Sequence, residues 1–299
     1  MGFLKSLFGV TDEDEKTKSQ DDDKAFDILK YDGIRALAQG NVTFAVRCFE
    51  HALEIKDDAE TRERMAVALG NGGDYEGSMK QYAKLVELEP DNAPLVLRMA
   101  QMAYLAGKYE DCVAACSKVL QIDSADRMAC LLQARGYVEL GNTINAVAML
   151  TKAIALYADK PDTVTGQAWL LRGALLLNLG DLDGASADAR NAAEQMPDSD
   201  EAYLLMARVA EAQGCHEDAI RAYDKVVELN PFSVEAFKER GSVKYALGDK
   251  SGAEEDMRQV LEIAPDTLDD TNGDFTAEGR EGIQCKVEQA YRDINPLGI

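Results

Sequence analysis

The sequence predicts an all-α solenoid of seven helical hairpins, and three observations carry that expectation. Prolines recur at 197, 231 and 265, each 34 residues after the last. Gly73, Gly107 and Gly141 keep the same step, as do Gly180, Gly214 and Gly248; Gly40 lies 33 before Gly73, and the 39 between Gly141 and Gly180 is one period plus five. Between these markers run segments such as "EDAIRAYDKVVELNP" (217–231), where Ala219, Ala222, Tyr223, Val226 and Val227 fall at helical spacing before Pro231 ends the run. Units of this length bury their apolar faces against their neighbours rather than around a common centre.

The elements follow in order. Residues 1–9, "MGFLKSLFG", read as a short hook that would place Phe3, Leu4, Leu7 and Phe8 on one side of a helical turn. Its apolar stretch is too short for a secretory segment and lacks a small-residue cleavage site. Gly2 to Ser6 matches the myristoylation pattern, which alone would give only marginal membrane binding. Residues 10–25 read as an acidic disordered tether, because 11–23 contain no apolar residue to offset the entropy of ordering.

Seven units then cover 26–58, 59–92, 93–126, 127–160, 166–199, 200–233 and 234–267. In each, a glycine stands between two amphipathic segments, where a helix can end in the left-handed conformation that glycine adopts cheaply. Some five residues later comes a small residue (Ala45, Ser78, Cys112, Ala146, Ala185, Ala219, Ala253), which lets the second helix approach the first. Four residues beyond stand Phe49, Tyr82, Cys116, Leu150, Ala189, Tyr223 and Met257, on the same face and larger in most units. Pro90, Pro197, Pro231 and Pro265 lack the N–H to continue a helix and close their units. Residues 268–299 read as a loop plus a capping helix, with Thr276 at its start and Ile283, Val287, Ala290 and Ile294 as one apolar stripe. The same region faintly suggests a calcium loop, but Leu268 and Gly279 stand where the first aspartate and the bidentate glutamate belong.

Composition narrows the function. The 299 residues include 54 acidic and 32 basic ones, and a formal charge of −22 repels phosphate backbones and anionic lipid. Nucleic acid is therefore excluded as a partner. No run approaches the ~18 apolar residues of a membrane span. Six cysteines without a CxxC pair read as reduced packing residues of a cytosol-like compartment. Cys48 with His51 is a single pair without further ligands, and Cys215–His216 straddles a turn without an orienting third group. No phosphate-binding glycine motif follows a strand pattern. The expectation is a non-catalytic protein with no cofactor and no metal.

The pattern resembles the tetratricopeptide-repeat family over about 26–267. The stretch "AWLLRGALLLNLGDLDGASADARNAAEQMP" carries Trp169, Gly173, Gly180, Ala185, Ala192 and Pro197 at the family's offsets. Departures are Asp57, Ser124 and Ala158 at the proline place, and the extra residues "PDTVT" (161–165) between units four and five. The resemblance implies first helices lining a concave groove. At the groove positions stand Leu97, Leu131, Leu170 and Leu204 at one offset, with Arg98, Gln101, Tyr104, Arg135, Asn178, Arg208 and Tyr245 nearby. Each leucine could instead pack against neighbouring first helices. Family members that clamp chaperone tails use Lys and Asn where this chain has mainly Leu, Ala and Arg, so that mode is disfavoured. The reading is an all-α right-handed α-solenoid with a C-terminal capping helix. It acts as a cytoplasmic scaffold or adaptor for a protein or peptide that is apolar or amphipathic with some acidic residues. The alternative is a peripheral membrane assembly factor tethered through residues 1–9.

Overall fold

A computed structural model describes residues 12–157 and 159–264. Among the described residues there are fourteen α-helices and no strand. They pair in chain order as hairpins: α1 (Asp12–Ala38) with α2 (Val42–Ile55), α3 (Ala59–Asn71) with α4 (Tyr75–Leu88), α5 (Ala93–Leu105) with α6 (Tyr109–Ile122), and α7 (Arg127–Glu139) with α8 (Thr143–Ala155). The series continues with α9 (Thr163–Leu179) and α10 (Leu182–Gln195), α11 (Asp200–Ala212) and α12 (His216–Leu229), and α13 (Val234–Ala246) and α14 (Lys250–Ile263). The chain divides into two compact units, Met1–Ala153 and Ile154–Ile299, each a stack of such hairpins.

One local device builds every turn. The glycines at 40, 73, 107, 141, 180, 214 and 248 all have positive φ. At each of these turns the residue after the glycine donates its N–H to the carbonyl five residues back, as Cys215 does to Ala210 at 2.8 Å. This is the Schellman closure, which satisfies carbonyls that the helix end leaves over. In five turns the same residue also caps the next helix: the side chains of Asn41, Asp74, Asn142, Asp181 and Asp249 accept from the backbone N–H three residues on. Lys108 and Cys215 make no such side-chain cap.

A Cβ on Gly214 would meet nothing within 4 Å, so a substitution there is felt through the backbone alone. Gly214→Val is expected to cost about 1–3 kcal/mol, the scale of a β-branched residue held at positive φ. Urea denaturation checks this, and wild-type stability would refute it.

The small residues behind the turns, from Ala45 to Ala253, are all fully buried, and the residues four further on are all buried, Phe49, Leu150 and Tyr223 completely. The core is accordingly a series of small clusters laid along each stack. One joins Val86, Val96, Ala100, Cys112, Cys116 and Val119; another joins Ala207, Ala219, Tyr223, Val226 and Val243. α4, α10 and α12 end two residues before Pro90, Pro197 and Pro231.

Two sequence expectations are corrected here. Residues 12–25, read as a disordered tether, continue α1 as helix. The segment has no Gly or Pro and is rich in Glu, Asp and Lys; packing of α1 from Phe26 onward supplies the nucleus, after which each added residue gains a hydrogen bond. The fifth unit, expected to begin at 166, has its first helix begin at Thr163, so the extra residues 161–165 lie only partly outside it. Asp162 caps α9 by accepting from Thr165 N–H at 3.1 Å, so Thr163–Thr165 form its first turn. The hook (1–9) and the capping helix (268–299) lie outside the described residues.

Candidate functional site

The first helices of the second unit, α9, α11 and α13, carry a recess of about 650 Å³ lined by Leu177, Arg208, Glu211, Ala212, Glu235, Lys238, Glu239 and Ser242. Arg208 on α11 organises it. Its Nε lies 3.0 Å from Glu239 Oε2 and its Nη2 lies 2.8 Å from Glu239 Oε1, a two-pronged pair; Nη2 also meets Glu235. The bond to Glu239 is the largest influence raising Arg208 further above its usual range, so the guanidinium is a fixed cation.

Behind this pair the buried Tyr223 hydroxyl sits 3.0 Å from Glu239 Oε2 and 3.0 Å from Glu211 Oε2. Burial pushes the Glu211 carboxyl up, with the Tyr223 hydrogen bond opposing. The hydroxyl itself is pushed well above its usual value by burial and by the two carboxylates. The sequence signal for this network is faint, since Arg208 and Glu239 are 31 residues apart and Tyr223 reads only as an apolar spacer.

The structure sorts the sequence-derived groove residues. Leu131 is 2% exposed and belongs to the core of α7, which corrects its assignment as a ligand contact. Leu97, Leu170 and Leu204 are half-buried and pack against core clusters of their own units, as do Tyr104 and Tyr245. Arg208, expected to meet a partner's carboxylates, is already held by two glutamates of this chain. In the first unit, Arg98 is exposed on α5 and hydrogen-bonds the Tyr82 hydroxyl, which burial pushes up and Arg98 holds down. Gln101 is half-buried, and the Tyr104 hydroxyl donates to Glu139 at 3.3 Å, its ring edge-on to Tyr109 at 5.6 Å. Arg135 and Asn178 are exposed.

Two buried ion pairs escaped the sequence reading. Arg172 grips Asp188 through Nε at 2.7 Å and Nη2 at 2.8 Å. Two repeats later Arg240 Nε lies 3.0 Å from Asp256, which Lys244 also meets at 2.9 Å. Arginine and aspartate stand 16 apart in both, at equivalent places in units five and seven, a recurrence visible in the period.

Cys48, Cys112, Cys116 and Cys130 are buried free thiols, and Cys215 is exposed. Cys112 and Cys116 face one another across one turn of α6; their hydrogen bond, then burial, drives Cys116 far up, as befits a packing thiol. Among the described residues no group of three or more His, Cys, Asp or Glu is placed to hold a metal ion. No described helix is long and apolar enough to cross a membrane.

Models of the tetratricopeptide repeat match residues 59–92, 131–201 and 204–266. The human protein O-mannosyl-transferase TMTC1 is 22% identical over 194 residues, covering 65% of this chain and 22% of that protein. Across the curated relatives it matches, the chain spans between 12% and 22% of their length. Among solved structures, a tetratricopeptide repeat protein from Parabacteroides merdae superposes with a TM-score of 0.62 at 14% identity, over 90% of this chain and 99% of that one. YrrB, described as a TPR protein with an unusual peptide-binding site, gives a TM-score of 0.55 at 19% identity, over 70% and 97%. At these identities the likeness is one of fold.

Proposed function

Because the chain belongs to the tetratricopeptide-repeat family, a fold that serves as a protein–protein interaction scaffold, we propose that the first-helix face of its second unit holds a peptide or partner helix. The observation that carries this reading is the recess of about 650 Å³ over Leu177, Ala212 and Ser242, within the ~300–1,000 Å³ range of ligand sites. Its polar wall is set in advance by the Arg208–Glu239 pair, so an incoming segment meets groups that need no rearrangement.

The wall also defines the occupant. Glu211, Glu235 and Glu239 outnumber Arg208 and Lys238, and Arg208 is already engaged. The fitting segment is amphipathic, with an apolar side chain over Leu177 and Ala212 and a basic or hydrogen-bond-donating group towards Glu235. This departs from the acid-bearing partner expected from the sequence, which took the arginines as uncommitted.

Ser242→Trp fills the recess from a half-buried position on α13. It is expected to keep the helical circular dichroism of the parent while weakening capture of the wild-type chain's co-purifying partner by about tenfold or more, which is about 1.4 kcal/mol. A folded variant that retains the same partner at the same affinity refutes this site.

A further inference from the structure

The opposite face of the second unit carries a different surface. A recess of about 450 Å³ opens between α10 and α12, with α11 as its floor. Ala189, Tyr203, Met206, Val209, Ala210 and Ala222 supply the apolar lining, while Arg190, Arg221 and Lys225 stand at the rim with Asp218 as the lining's one carboxylate. Three cations against one acid is an exceptional balance on a chain of formal charge −22.

The recess has a cause in the repeat. Met206 and Ala222 occupy the places that Arg172 and Asp188 hold in unit five, and Arg240 and Asp256 in unit seven. Those units fill the space between their helices with a buried ion pair. Unit six has an unbranched apolar side chain and a methyl group there instead, so the gap stays open and its floor is apolar and polarizable.

From this combination we propose that the recess between α10 and α12 binds an acidic peptide segment, with one apolar side chain seated on the partly exposed Tyr203, Met206 and Ala210 and flanking carboxylates paired to Arg190, Arg221 and Lys225. The rim cations are held only lightly. Arg221 pairs with Asp218 and Lys225 with Glu228, each within one helical turn, while Arg190 Nε donates to the Ser186 carbonyl at 3.2 Å. Exposed pairs of this kind are worth little and exchange readily for a partner's carboxylates. Arginine can also take a carboxylate with two parallel bonds. Asp198 near Lys225 sets an opposing field and favours an occupant whose acids lie toward Arg190 and Arg221. The surface is separate from the first-helix recess and stands or falls independently of it.

Fluorescein-labelled pentapeptides test this, each with Leu, Met, Phe or Trp flanked on both sides by two glutamates, and a matching set flanked by lysines. Fluorescence anisotropy is expected to show at least one acidic peptide binding about tenfold or more tighter than its lysine counterpart, with affinity falling as salt rises. Arg190→Gln with Arg221→Gln and Lys225→Gln removes rim charge from solvent-accessible positions. It is expected to abolish that preference while leaving the circular dichroism and thermal midpoint unchanged. In a Cys285→Ser background, Cys215 at the edge of the recess should react more slowly with a bulky maleimide when the peptide is bound.

If no acidic peptide binds, or the neutralised variant binds equally well, the proposal is overturned. Self-association of the wild type that the same variant abolishes, without peptide binding, would make a second copy of the chain the occupant and overturn it equally.

Discussion

Tyr223→Ala is expected to lower the free energy of unfolding by about 2–5 kcal/mol, the range for emptying a fully buried large side chain. The ring is completely buried between α11, α12 and α13, so its loss leaves a void that neighbouring helices cannot close without sliding. The hydroxyl adds a second contribution. It carries one proton yet lies within hydrogen-bond distance of both Glu211 and Glu239. With a single proton the hydroxyl donates to one of these two carboxyls at a time, and through them it ties α12 to both α11 and α13. Tyr223→Phe keeps the ring and removes this bridge, so it should cost about 1–3 kcal/mol, less than alanine. Urea denaturation of both variants decides the matter. An alanine variant within ~1 kcal/mol of wild type would mean that this position does not join adjacent repeats.

Asp188→Ala should be comparably damaging, by about 3–5 kcal/mol, because it leaves the Arg172 guanidinium in a mostly buried place without its carboxylate. The companion variant makes the argument specific. Arg172→Met together with Asp188→Ala installs the pair that unit six already carries as Met206 and Ala222, and should recover most of the loss, since well-packed apolar replacements of buried ion pairs are often neutral. A double-mutant cycle by chemical denaturation reads this directly. A double variant no better than the single one would show that the site in unit five has adapted around its charges.

The turns and the core were legible in the sequence for a physical reason. Positive φ at glycine and a small residue behind the turn are demands of local backbone geometry, and a repeat states each demand seven times. Ala219 and Tyr223 could be placed from spacing alone, and both are buried as that spacing requires. Side-chain partnership across helices is not a local demand. Arg208 looks like a surface cation until α13 is known to bring Glu235 and Glu239 beside it. Leu131 shares its offset with three half-buried leucines, but burial there depends on what adjacent helices present, which the offset does not encode. The acidic start of α1 failed for a related reason: composition describes a segment in isolation, and this one continues a helix that packing has already nucleated.

The double use of the residue after each glycine has an evolutionary corollary. At Asn41, Asp74, Asn142, Asp181 and Asp249 one residue both closes the preceding helix and starts the next. Inserting a single residue there would separate the two duties and lose a cap and a closure together, so the hairpin bend cannot drift in length. The junction between one hairpin and the next carries no such double duty, and both departures from the 34-residue step, 33 between Gly40 and Gly73 and 39 between Gly141 and Gly180, lie in intervals containing such a junction, before α3 and before α9. A change in length is therefore tolerated between hairpins but not within their bends, which makes the bend the fixed joint of the array and the inter-hairpin link its adjustable one.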